Sequence, residues 1–351
     1  MTTLTETAYY TRKGVNWVIL SVIGYIVIRL SWGILVALWL YFFPPQAPPP
    51  NHAFGKVPVV KFPAVASDSG QLTFNLETIE GSIPQASASA TVFFMPKNSA
   101  SLNSLDLAKE FARKLEFTAE PKQESKYLYL FEDLDAPLRV MRYDIISKNF
   151  VLRYLFERDS SLFTERNVPL DEDVYADSKS FLQSNDLFPE DINSGVPAIE
   201  YFKYEGNTLI KTTSHSQSDV ARIDYFRAPI WDMPIVTPNP NEGPITFIYS
   251  GSSNSKKRIL QIAYTLWPID LTTTGTYELK QSITAWQELQ NGGGYIARYP
   301  KTNKSTATIR RVYLAYYDSL EPQTYLQPVF VFEGDDGFMA YVPAISPEWT
   351  E

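Results

Sequence analysis

His215 lies in the polar run Thr212-Thr213-Ser214-His215-Ser216-Gln217-Ser218-Asp219, where serine, histidine and aspartate stand side by side. Those residue types make an acyl-transfer triad only when separate elements hold them in a fixed array, and neighbours on one loop do not. No Gly-x-Ser-x-Gly elbow occurs to present an activated serine. His215 is therefore expected on a solvated turn. The other histidine, His52, falls in a proline-rich stretch and is expected to be a solvated linker residue. With two histidines and no cysteine, a zinc site would need carboxylates almost alone, which transition metals rarely accept. Glu132-Asp133-x-Asp135 and Glu333-Gly334-Asp335-Asp336-Gly337 gather acids, but without the spacing of a calcium loop. Asp336-Gly337 between apolar runs fits a hairpin turn, because glycine supplies positive φ. Asp171-Glu172-Asp173 fits favourable charge at a helix start. Gly292-Gly293-Gly294 follows a helix, at the negative end of its dipole, and so cannot cradle a phosphate. The expectation is a non-enzymatic chain with no catalytic residue, metal or cofactor.

Arg29 has a different reason to be noticed. It sits near the middle of Val15 to Phe43, an apolar stretch long enough to cross a hydrocarbon core of about 30 Å as a tilted helix. Trp17 near one end, and Trp39, Tyr41, Phe42 and Phe43 at the other, suit interfacial anchors. An arginine at that depth costs about 2.5–3.5 kcal/mol on insertion scales. The expected remedy is an acid or carbonyl on another transmembrane helix. Ser21, Gly24 and Ser31 form a small-residue strip that would allow close packing there. Snorkelling of Arg29 through local water is the alternative.

The short segment 1–14 carries Arg12 and Lys13 against Glu6, which places it in the cytoplasm under the positive-inside rule and exports the rest. Net charge is -8 for the whole chain, with +2 on residues 1–43 and -10 beyond. So acidic an exterior repels phosphate polyanions and argues against a nucleic-acid partner. The lack of cysteine removes disulfide scaffolds and lipobox lipidation, and Asn303-Lys304-Ser305 is the one glycosylation sequon. A bacterial cell envelope fits these features best.

Prolines 44, 45, 48, 49, 50, 58 and 63 mark a spacer over 44–66, either an extended stalk or a strip packed along the domain through Val57, Val59, Val60 and Phe62. Beyond it, β-rich runs alternate with helices predicted from about Ser104, over Asp171–Gln183 and over Glu278–Gln290. The last is expected to bury Leu279, Ile283, Trp286 and Leu289 and to stop at Asn291-Gly292. The class is α+β, with helices on antiparallel sheets in units 67–160, 161–270 and 271–351. Aromatic residues make up 14% of the chain, which suits β-rich cores but also sugar stacking or protein interfaces. Trp231, between Pro229 and Pro234, is the aromatic most suited to display.

Ala285-Trp286-x-x-Leu289, Gly292-Gly293-Gly294-Tyr295, Leu314-Ala315-Tyr316-Tyr317, Tyr325 to Phe332 and Phe338 to Ala344 together resemble the C-terminal part of the YycH/YycI group of bacterial two-component accessory proteins. PepSY-type domains are similar more loosely. The resemblance covers the final 75 residues or so plus the single N-terminal anchor. It implies extracytoplasmic domains without catalysis, whose membrane helix contacts a sensor kinase. The proline spacer and the long middle section depart from that pattern. The expected function is a single-pass, membrane-anchored accessory or regulatory subunit that binds other envelope proteins, with self-association open. A peptidoglycan- or glycan-binding module is the alternative, and a hydrolase the third choice.

Overall fold

The computed structural model describes residues 4–42, 49–64, 72–99, 101–159, 161–165, 167–302 and 305–351. Phe43, Pro44, Pro45 and Pro48, and Asn303 and Lys304 of the sequon, lie outside these. Contacts divide the chain into two units, Met1–Pro48 and Pro49–Glu351.

The first unit is one helix, α1 (Leu4–Phe42), 39 residues long. At about 1.5 Å per residue it extends roughly 58 Å. It starts well before the apolar stretch, so most of the expected tail is helical. Its described side chains from Trp17 to Trp39 are exposed except at Gly24, with apolar residues on every side of the helix. Among the described residues no helix is long and apolar enough to cross a membrane. The longest unbroken run of described side chains in α1 is residues 20–36.

In the second unit, β1 (Thr73–Leu76) and β2 (Ser89–Phe94) precede α2 (Ser104–Lys114). Then come β3 (Lys122–Gln123), β4 (Leu128–Glu132), β5 (Arg139–Asp144), β6 (Phe150–Tyr154) and α3 (Asp171–Ser184). A short α4 (Glu190–Asn193) leads to β7 (Ala198–Glu205), β8 (Thr208–Thr212), β9 (Val220–Tyr225), β10 (Ile235–Val236) and β11 (Ile245–Ser250). The chain closes with α5 (Ser255–Arg258), β12 (Ile259–Tyr264), β13 (Asp270–Glu278), α6 (Ser282–Gln290), β14 (Tyr295–Arg298), β15 (Thr306–Tyr317), β16 (Tyr325–Gly334) and β17 (Met339–Pro343).

The described strands form two sheets. One has nine strands in the order β3-β4-β5-β6-β12-β11-β9-β7-β8, all antiparallel. The other has eight, along β1-β15-β16-β17-β14, with β10 beside β15 and β2 bridging β13 and β16. Strand pairing therefore crosses the boundaries expected at 160 and 270. Strands β1 and β2 join the C-terminal sheet, and β11 and β12 complete the sheet begun by β3 to β6.

Period-two alternation sorts the side chains of the eight-stranded sheet. Phe330 and Phe332 pack with Ala285, Trp286 and Leu289 of α6 on one face, and Val329 and Val331 pack on the other. That second face is covered by the spacer: Phe62 stacks on Tyr295 at 5.3 Å and meets Tyr317 edge-on at 4.9 Å. The described part of the spacer is thus packed, not free. Val57 is fully buried, forms a parallel bridge to Thr350, and its neighbour Val59 donates to the Glu351 carbonyl. On the nine-stranded sheet, Ala108 and Ala112 of α2 and Val174 and Leu182 of α3 pack over Met141, Leu152, Ile223 and Phe247.

Several local expectations shift. Helix α6 begins at Ser282, not Glu278, because β13 runs to Glu278 and Leu279 bridges Ile345. Ile283 is accordingly 46% exposed instead of buried. Leu102 precedes α2 and is fully exposed. The acids Asp335 and Asp336 do turn the chain between β16 and β17, with φ of 53° at Asp336 and 75° at Gly337.

Candidate functional site

A cleft of about 940 Å³ opens where the chain passes between the two sheets. Its walls come from the end of α3 and from α4, the β5–β6 turn, and the crossovers after β9 and β12. The chemistry of the walls differs. Asp186, Glu190 and Asp191 line the α3–α4 side, with Lys148 from the β5–β6 turn. Ile230, Ile235, Leu266, Ile269 and Leu271 supply apolar surface from the crossovers, β10 and the start of β13.

Arg227 pins the cleft. Its side chain is buried, its Nε donates to Asp318 Oδ2 at 2.7 Å, and its guanidinium also donates to Asp191 and to the Trp267 carbonyl. Those bonds tie the segments after β9, β12 and β15 to α4. Burial alone would lower the Arg227 pKa, but the Asp318 and Asp191 carboxylates outweigh it and leave it raised. Burial pushes Asp318 up, with Arg227 opposing, and its Oδ1 has no hydrogen-bond partner. Glu190 is held below the usual carboxylate range by Ser194 and then Asn193. Tyr264, also in the wall, is pushed up to about 12 by burial.

At the edge of the cleft, Ile230 and Met233 exchange backbone hydrogen bonds of 3.0 Å each across Trp231-Asp232. Both turn residues have positive φ, 49° and 66°. That is the pattern of a type I′ hairpin, which ordinarily takes Asn-Gly, and a tryptophan in the left-handed region is strained. Trp231 is 70% exposed, with its ring 5.3 Å from Phe93. Phe93 belongs to the same cluster as Ile230, Ile235, Trp267 and Ile269.

The other sequence candidates lie elsewhere. Arg29, Ser21, Gly24 and Ser31 are all on α1, where Ser21 Oγ donates to the Trp17 carbonyl at 2.8 Å and a Cβ on Gly24 would meet open space. His215 sits edge-on to Tyr201 with Nε2 3.0 Å from the Val168 carbonyl. Its serine neighbours bond to one another and to its backbone, and no hydroxyl meets its ring. His52 is not a solvated linker residue: it stacks on Trp349 at 3.4 Å, and its Nε2 lies 3.6 Å from Glu278. Among the described residues no group of three or more His, Asp or Glu side chains is arranged to hold a metal ion. Asp335, in the acid-rich turn, is instead gripped by Arg310 through both oxygens.

Sequence reasoning singled out Trp231 but missed the cleft and Arg227. In Tyr225-Phe226-Arg227-Ala228-Pro229 the arginine looks ordinary, and its partner Asp318 is distant in sequence.

Fold and site together define a mixed α+β protein with two large sheets and a few helices. No protein-family model matches the chain, and no curated protein matches it. A crystal structure of an uncharacterized protein from Eubacterium rectale ATCC 33656 is similar over 79% of this chain and 88% of that one, at 14% identity and a TM-score of 0.41. A likeness that distant carries no argument about fold or function.

Proposed function

We propose that this chain is a non-enzymatic, single-pass membrane protein whose second unit lies outside the cytoplasm and binds other envelope proteins as an accessory or regulatory subunit. The observation that carries the reading is α1, an unbroken helix whose described side chains are mostly apolar and, Gly24 apart, exposed. Such a helix needs lipid or protein around it along its whole circumference. The apolar stretch Val15 to Phe43 is by sequence long enough for a bilayer. Arg29 sits exposed near its centre with no described partner, so a second transmembrane helix offering an acid or carbonyl would satisfy it. A sensor kinase, as the YycH/YycI resemblance implies, is one such partner, and a second copy is another.

The test is crosslinking in intact membranes followed by mass spectrometry of what co-purifies, with protease added to whole cells to report topology. Arg29→Leu is expected to reduce recovery of the complex several-fold, the scale of one interhelical polar contact of about 1–2 kcal/mol. Unchanged recovery overturns the lateral contact, and a second unit shielded from external protease overturns the topology. The exposure of Trp231 favours one second reading, a glycan-binding module. It predicts pulldown with cell-wall material that drops on Trp231→Ala.

A further inference from the structure

We propose that the cleft between the two sheets takes a cationic, amphipathic peptide segment of a partner protein, with Trp231 as the exposed anchor at its lip. The proposal rests on the envelope-binding reading above and names the chemistry of the partner.

Charge complementarity selects the sign. Asp186 and Glu190 face the cleft against the single Lys148, while Asp191 and Asp318 take up the charge of Arg227. A ligand with lysine or arginine finds carboxylates on that wall, and an anionic ligand meets repulsion. Apolar surface selects the rest. Ile230, Ile235, Ile269 and Leu271 line the cleft too, Leu271 is 54% exposed, and Leu320, whose carbonyl accepts from Trp267 Nε1, is exposed. A wholly polar cation would leave that surface wet. At about 940 Å³ the cleft sits at the upper end of ordinary small-ligand sites, which suits several side chains of a segment.

Trp231 supplies an independent observation. Two non-glycine residues are held at positive φ in a tight turn, at a cost of about 1–3 kcal/mol each, and the result is an indole presented to solvent beside the cleft. Tryptophan is also the residue type most enriched among interface hot spots. Strain that places such a side chain beside a cleft with matching apolar surface is explained by a partner that covers it.

The experiment uses the full chain in nanodiscs of zwitterionic lipid, with empty nanodiscs subtracted. The probe is a labelled synthetic peptide of alternating leucine and lysine. Leucine–glutamate and serine–lysine peptides serve as controls. The leucine–lysine peptide is expected to bind preferentially, to weaken with salt, and to lose about 10-fold or more in affinity on joint Asp186→Lys and Glu190→Lys replacement. Trp231→Ala is expected to cost about 5- to 30-fold. Leu271→Ser gives a second apolar probe should Trp231→Ala disturb the fold, as read by thermal unfolding. Equal binding of the leucine–glutamate peptide, or unchanged affinity in the charge-reversed protein, overturns the proposal. So does displacement of the peptide by soluble wall fragments with no dependence on salt.

A photoreactive residue at position 271, compared with one on α1, separates this proposal from the reading beneath it. Protein crosslinks from α1 alone, with no peptide binding, leave the envelope-partner reading standing and remove the cleft proposal. Peptide binding abolished by charge reversal, with no protein crosslinks from α1, supports the cleft proposal and removes the lateral helix contact.

Discussion

Arg227 holds two carboxylates and a backbone carbonyl from three distant parts of the chain while buried from water. Removing it strands Asp318 as an uncompensated buried charge. Arg227→Ala is therefore expected to lower unfolding free energy by about 3–5 kcal/mol, measured by urea denaturation. Arg227→Met combined with Asp318→Leu is expected to recover most of that loss, because a matched apolar pair strands nothing. Asp191 is half-exposed and tolerates the change. Tyrosine hydroxyls set a second residue-scale expectation. Burial pushes Tyr143, Tyr225 and Tyr264 up to about 12, with Asp144 adding to the rise at Tyr143. The folded chain thus holds these protons more tightly than the unfolded one. Their contribution to stability is complete below pH about 10 and is lost as pH climbs toward 12. Denaturation midpoints across that window, read beside tyrosinate absorbance, check both the direction and the range.

At the scale of elements, the glycines after α6 differ sharply in what they do. Gly292 adopts φ of 81° at the helix end with open space where a Cβ would stand, whereas a Cβ on Gly294 (φ 82°) would sit 2.6 Å from the Tyr341 carbonyl oxygen. Gly292→Asn is expected to be near neutral, since asparagine accepts the left-handed conformation. Gly294→Ala is expected to cost about 1–3 kcal/mol or more by thermal unfolding, as it combines strain with a clash against β17. The sequence showed the helix stop at Asn291-Gly292 but not the close approach at Gly294, which depends on a strand about 45 residues on. The same contrast holds for strands. All six residues of β11 are buried, so no alternation in its sequence marks it as a strand. Its neighbour β12 does alternate in burial. The helix start at Ser282 was hidden because Leu279 and Lys280 stay bonded to Ala88 and to Ala344-Ile345 just past β17, a tertiary choice that outweighs helical spacing.

At the scale of the whole molecule, sequence order and spatial order part company. Thr73 pairs with Thr306, and every strand of the nine-stranded sheet falls between β2 and β13 in sequence, with β10 of the other sheet interleaved among them. The α+β class and most elements were legible, because composition and periodicity act locally. The pairing of β1 and β2 with the C-terminal strands was not, and neither was the cleft, which exists only where crossovers from both sheets meet. The spacer's fate was also set at this scale: Phe62 and Val57 bury themselves against partners more than 200 residues away. Removing Thr350 and Glu351 deletes two backbone bonds to Val57 and Val59. Faster amide hydrogen exchange at Val59, with the sheets unaffected, is the expected outcome.

That stitching has a mechanical consequence. A force applied at the start of the second unit meets its first fastenings at Asn51 and His52, which are fixed to Thr276 and Trp349. The load is then shared between the strand β13 and the last residues of the chain. A label or surface attachment placed at Glu351 therefore loads the same seam that fastens residues 51–59 to the body.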